Sequence, residues 1–219
     1  MASTHEAYPA VALIADIIDS RHLADRPAAQ QQIHEAFDRA HRSVPAVQDA
    51  WATVGDEFQA VYASWQDAAR AALRVAVSLP EDVVLRYGLG EGEVRMVERG
   101  PTGDIHEGTA WYRAREAVEE AGGRPQGPAT AYRGADAQLT AAVNGQLLVR
   151  DHVIGRLKAR ERRILAHLLE GQTQVEAAQR EGITQSAVSQ AVHRSGGAHL
   201  LAADAVLEQS ARDERKGTA

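Results

Sequence analysis

The chain has 219 residues, 44% apolar and 25% charged, enough to bury a core in one domain or two small ones. It contains no cysteine, which excludes disulfides, thiolate metal sites and a thiol nucleophile, and suits a reducing cytoplasm. No apolar run approaches the ~20 residues that span a bilayer, and residues 1–9 lack the pattern of a signal peptide, so a cytoplasmic protein with no membrane partner is expected.

Ala10 to Ile18 is a short, β-branched apolar run that reads as a buried strand with Asp16 near its end. Pro27 to Ser43 carries Ile33, Phe37 and Ala40 at helical spacing, and its two histidines, His34 and His41, read as surface residues. Trp51 to Val54 and Phe58 to Tyr62 flank Gly55-Asp56-Glu57 and read as a hairpin. Gln66 to Ser78 is a second helix, stopped by Pro80. Val83 to Leu89 is a strand with Val94 to Val97 as its neighbour. Gly88, Gly90 and Gly92 then read as a turn, because a strand follows where a dinucleotide fingerprint needs a helix. Gly108 to Ala121 is a third helix, ended by Gly122-Gly123. The order β-α-β-β-α-β plus a helix predicts an α+β, ferredoxin-like split βαβ domain over 1–135, an antiparallel sheet with helices on one face. Gly122 to Arg133 reads as a loop or a domain edge, and 136–156 as a linker region in which Leu139 to Val149 is ambiguous, with a linker helix as one reading.

Residues 157–209 read as an all-α unit, with a frayed tail over 210–219. The net charge of −6 is not spread evenly, since Ile154 to Arg194 holds seven basic residues against four acidic ones. Ala159 to Leu169 places Ile164, Leu165, Leu168 and Leu169 on one face, and Gly171 ends it. Thr173 and Glu176 have capping-box spacing, Gly182 is a turn glycine, and Thr184 caps the next helix. That helix turns Ala187, Val188, Ala191 and Val192 inward. It leaves Gln185, Ser186, Ser189, Gln190, His193 and Arg194 outward, short amide and hydroxyl groups of the kind that read base edges. Thr184, Thr173 and Arg162 complete the expected DNA contacts. The segment VEAAQREGITQSAVSQAVHR resembles the helix-turn-helix of LuxR-type regulators and of sigma-factor region four. A break at Ser195-Gly196-Gly197 precedes a last helix, His199 to Gln209, placed to pair two subunits of a homodimer.

In the N-terminal half Asp16 and the hairpin residues Asp56 and Glu57 are expected to converge at one end of the sheet. Paired carboxylates favour a hard cation, Mg²⁺ or Mn²⁺, with a nucleotide phosphate completing its shell. Backbone and side chains from Ile17 through Ser20 to Arg21 are candidate phosphate contacts. A strand ending Asp-Ile, then a helix, then Gly-Asp-Glu-Phe resembles the palm shared by class III nucleotidyl cyclases and GGDEF-type diguanylate cyclases. RYGLGEGEV (86–94) and EGTAWYRAREAVEEA (107–121) are similar to later cyclase elements. The resemblance implies a transition-state role for Arg115, but the position of its partner asparagine is Trp111. The Asp-Ile-x-x-Ser-Arg start, the cyclase-like palm and the helix-turn-helix together resemble the SatD family. The expected function is a DNA-binding transcriptional regulator that senses a nucleotide. The alternative is a nucleotidyl cyclase or nucleotidyltransferase with a DNA-binding tail.

Overall fold

The computed structural model of the protein describes residues 6–20, 23, 25–53, 56–100, 103–124 and 129–217. Arg21, Val54 and Gly55, to which the sequence assigns a phosphate contact and a hairpin turn, lie outside them. The elements are β1 (Tyr8–Ile17), α1 (Arg26–His41), β2 (Gln48–Ala52), β3 (Glu57–Tyr62), α2 (Trp65–Ser78), β4 (Leu85–Gly100), β5 (Gly103–Glu107), α3 (Thr109–Gly122) and β6 (Ala129–Arg133). Five helices follow: α4 (Ala137–Arg156), α5 (Ala159–Leu169), α6 (Gln174–Glu181), α7 (Gln185–Ser195) and α8 (Gly197–Gly217). No helix among the described residues is long and apolar enough to cross a membrane.

The sheet runs β2-β3-β1-β4-β5, with β6 also on β4. β1 lies between β3 and β4, antiparallel to both, which is the split βαβ order. Its apolar run lacks alternation because both faces are buried. Val11, Leu13, Ala15 and Ile17 join Ile33 and Phe37 of α1 and Ala72 and Val75 of α2 in one cluster. Ala10, Ala12 and Ile14 meet Ala110, Ala114 and Val118 of α3 in another. Helices therefore cover both faces, not one.

Three further expectations are corrected. Gly88, Gly90 and Gly92 make no turn, because β4 is one continuous strand of 16 residues. Alternate residues share a face, so these glycines form a stripe against which the α3 backbone lies. A Cβ at Gly88 would come 2.5 Å from the Val118 amide nitrogen, and one at Gly90 would overlap the Ala110 carbonyl and Ala114 amide. The segment expected as a loop ends in β6, which runs parallel to β4 from Ala129 opposite Arg86 to Arg133 opposite Gly90. The histidines are half-buried, not superficial. His34 packs edge-on to Phe58 with centroids 5.0 Å apart, and His41 lies 2.9 Å from the Tyr62 hydroxyl.

The C-terminal helices continue the same core, since Val143, Leu147, Leu165, Leu169 and Leu200 belong to the cluster that holds Leu13 and Phe58. A buried charge network fastens them to α2. Arg70 Nε donates to Asp204 Oδ1 (3.2 Å), and Arg74 Nη2 donates to Asp204 Oδ2 (2.9 Å) and to the Leu169 carbonyl (3.3 Å). Asp67, Arg70, Arg74 and Asp204 are all buried. Residues 210–217 of the expected frayed tail are instead the end of α8, and 218–219 lie outside the described residues. Gln66 Nε2 donates to Ser210 Oγ (3.0 Å), and Arg215 pairs with Asp67.

The glycine stripe predicts that Gly90→Ala destabilises the fold by about 3 kcal/mol through overpacking against the α3 backbone. Gly145→Ala, at an exposed α4 position with nothing within 4 Å of the added methyl, should stabilise by up to about 1 kcal/mol. Urea unfolding of both variants measures the difference.

Candidate functional site

Asp16 faces Glu57 of β3 on one side and Arg86 of β4 on the other, in register across the sheet. Arg115, from α3, reaches the same end. Arg86 Nε donates to Asp16 Oδ2 at 2.7 Å, and Arg115 Nη2 donates to Glu57 Oε1 at 3.0 Å. That hydrogen bond to Glu57 is the main cause that holds the Arg115 guanidinium above its usual pKa. The four side chains border a cleft of about 380 Å³ closed by Val118 and Gly122. Asp16 and Glu57 thus each have a guanidinium already, and Glu119 is a third carboxylate in the lining.

The structure does not assemble the expected carboxylate trio. Asp56 precedes Glu57 by one residue, so it leaves the shared face and pairs with Arg26 at the start of α1. Among the described residues no three His, Cys, Asp or Glu side chains are grouped to hold a metal. A divalent cation at Asp16 and Glu57 would have to displace both arginines, so the residues as arranged do not fit one. The expected phosphate cradle is also partly spent. Ile17 is buried in β1 and paired with Leu85, and the Ile18 amide donates to the Val84 carbonyl at 2.9 Å. Ser20 follows Asp19, whose φ is +54°, and its carbonyl accepts from Leu23 at 3.4 Å. Trp111, one turn before Arg115, packs against Trp51 (5.9 Å) and His106 (6.3 Å), so an aromatic cluster stands where the resemblance would put an amide.

The second assembly is built on α5, α6 and α7. Thr173 Oγ1 accepts from the Glu176 amide at 3.2 Å, and the Glu176 carboxylate accepts from the Thr173 amide at 2.7 Å, the capping box expected from the spacing. Gly182, with φ of +64°, ends α6 in the left-handed conformation that glycine adopts without strain. Thr184 caps α7 by accepting from Ala187 at 3.2 Å. Ile164, Ala178, Val188 and Val192 fill the small core between the three helices.

These caps hold the starts of α6 and α7 side by side, and Gln185 Nε2 donates to Gln174 Oε1 at 2.6 Å between them. Gln185, Ser186, Gln190, His193 and Arg194 are exposed, and Ser189 is half-buried. Thr184 and Ser186 share a hydroxyl contact of 3.0 Å, and Arg194 Nε donates back to the Gln190 carbonyl at 3.3 Å. Arg162 does not belong with them. It is 9% exposed and donates to the Ala76 and Ile154 carbonyls. The inner face of α8, expected to pair subunits, is used against α2. Sequence reasoning missed Arg86, Gln174 and Arg26. Only the sheet register brings Arg86 beside Asp16, so no local signal marks it.

The topology and the two assemblies define an α+β protein of split βαβ topology with a capped three-helix unit packed on it. The chain belongs to the SatD family, whose family model matches residues 10–203. No curated protein matches it. Among solved structures, it is similar to a bacterial light-regulated adenylyl cyclase at 15% identity and a TM-score of 0.47, over 58% of this chain and 76% of that one. The adenylyl cyclase CyaB from P. aeruginosa matches at 12% identity and a TM-score of 0.36, over 53% of this chain and 74% of that one. The regulator of polyketide synthase expression from Bifidobacterium adolescentis matches at 13% identity and a TM-score of 0.27, over 94% of this chain and 82% of that one.

The three-helix unit has a pH signature. Glu181 at the end of α6 accepts from Arg163 Nη2 at 2.8 Å, and this hydrogen bond holds its pKa below the ordinary 4.5. A depressed carboxylate stabilises the fold above its unfolded value and loses that contribution as pH falls through the folded value. Wild type should therefore lose more stability than Glu181→Gln between about pH 5 and pH 3. Parallel slopes in urea titrations across that window would contradict the assignment.

Proposed function

We propose that the protein binds duplex DNA through α7 as a transcriptional regulator, with the palm as the platform that carries the reading helix. The observation that carries this reading is the joined pair of capped helix starts. Gln174 and Gln185 meet there, and the exposed Gln, Ser, His and Arg side chains of α7 project from a rigid base. Helix starts present free N–H groups and a positive dipole end to phosphates. Amide and hydroxyl side chains one turn further in are of the right length for base edges in a major groove. Arg194, exposed on this unit, is suited to a phosphate beside the bases that α7 reads. A homodimer would place two such helices on half-sites about 34 Å apart.

Ligand sensing is the role we assign to the palm, with nucleotide contacts at Arg86 and Arg115 and no Mg²⁺ or Mn²⁺ required. The enzymatic alternative finds little support, since Trp111 replaces the amide and both carboxylates are neutralised by arginine. After selection of a bound sequence from a random duplex pool, Gln185→Ala should weaken binding to it by about 1–3 kcal/mol in a fluorescence anisotropy titration. Unchanged affinity would remove α7 as the reading helix. Failure to enrich any sequence would remove the function.

A further inference from the structure

A groove runs between α1 and the α5–α6 pair, with Val77 and Ser78 at the end of α2 as its floor. One end, about 440 Å³, gathers Arg39 and Arg42 from α1, Arg163 and His167 from α5, and Arg180 from α6. Glu170 is the single carboxylate among the described residues that line this end. Arg163 is neutralised by Glu181, and Arg39 lies 3.9 Å from Glu35. Arg42 and Arg180 have no ion-pair partner within 4.0 Å among the described residues. Four arginines thus face one carboxylate in the lining of this end, with Glu35, Glu176 and Glu181 as charged neighbours of three of them.

The adjoining end, about 500 Å³, shares Arg39 and Arg163 and is walled by Leu79, Pro80 and Ala159, with Arg162 and the carboxylates Glu35 and Glu81 in its lining. Arg162 is nine-tenths buried, and no carboxylate lies within 4.0 Å of it among the described residues. Its Nε–H has no partner, and its other donors reach two carbonyls only at 3.3 and 3.4 Å. Glu81, in the same lining, is the carboxylate whose charge acts on it. Each end has the volume usual for a small-molecule site.

We propose that this groove binds a phosphorylated small molecule, its phosphates against Arg39, Arg42 and Arg180 and its uncharged portion against Leu79 and Pro80. The occupant touches α1 of the palm and the α5–α6 pair together, so its affinity is linked to how α7 is held. The site is separate from the Arg86–Arg115 cleft and does not depend on the DNA-binding reading.

Isothermal titration of the full chain with inorganic pyrophosphate tests the site. Wild type and Arg115→Ala should bind saturably, and the double variant Arg42→Ala/Arg180→Ala should bind at least about 10-fold more weakly. Both of those arginines are exposed, so the double variant should keep the wild-type circular dichroism and melting temperature. Phenyl phosphate should bind more tightly than inorganic phosphate, and equal affinities would remove the apolar end from the site. Loss in Arg115→Ala with binding kept in the double variant would place the phosphate in the palm cleft and overturn the proposal. Absence of saturable binding to wild type would also overturn it. So would a double variant that loses duplex DNA when wild type takes up no pyrophosphate, because the phosphates would then be those of DNA.

Discussion

The Asp204 carboxylate of α8 is held between two guanidiniums of α2, those of Arg70 and Arg74, where water is largely excluded. Arg74 also caps the end of α5 at the Leu169 carbonyl, so one side chain ties three helices. Taking these charges out of water is expensive, and their mutual attraction offsets the cost only in good geometry. An apolar contact between α2 and α8 would tolerate sliding. This network, with directional bonds at each partner, does not. The orientation of α7, which packs on α8 and α5, therefore follows from α2 and the sheet beneath it.

The palm shows the same economy of position. A strand has a period of two, so whether a carboxylate joins the cleft or leaves it turns on a single residue. Glu57 joins Asp16 and Asp56 goes to α1. Arg86 then completes the row from the neighbouring strand, so Asp16 and Glu57 each end in an ion pair. Along Thr109 to Val118 of α3, three glycines of β4 let a helix of small residues lie directly on the sheet. That close approach sets where Arg115 can reach.

Much of this was legible in the chain. The β1 run, the helices with Ile33 and Phe37, and the Thr173–Glu176 and Thr184 caps are local patterns, and local patterns survive folding. What was not legible was non-local. Three alternate glycines in a strand look like a turn until a helix is known to press on them. β6 is short and edged by Gly and Pro, so only its partner β4 makes it a strand. The polar end of α8 reads as frayed because its stabilising partners, Gln66 and Asp67, lie about 148 residues earlier in the chain. Arg162 looked like a phosphate contact because charge predicts exposure on average, and here its stem and head are folded under α2.

The palm and the C-terminal helices share one core and unfold as one body. All three tryptophans, Trp51, Trp65 and Trp111, lie in the palm, so their fluorescence reports chiefly on it, whereas far-ultraviolet circular dichroism reports every helix. Urea unfolding followed by both signals should give superimposable transitions with one midpoint and one slope. A circular dichroism phase that precedes or follows the fluorescence change would show that the helical unit folds on its own, and would contradict the account.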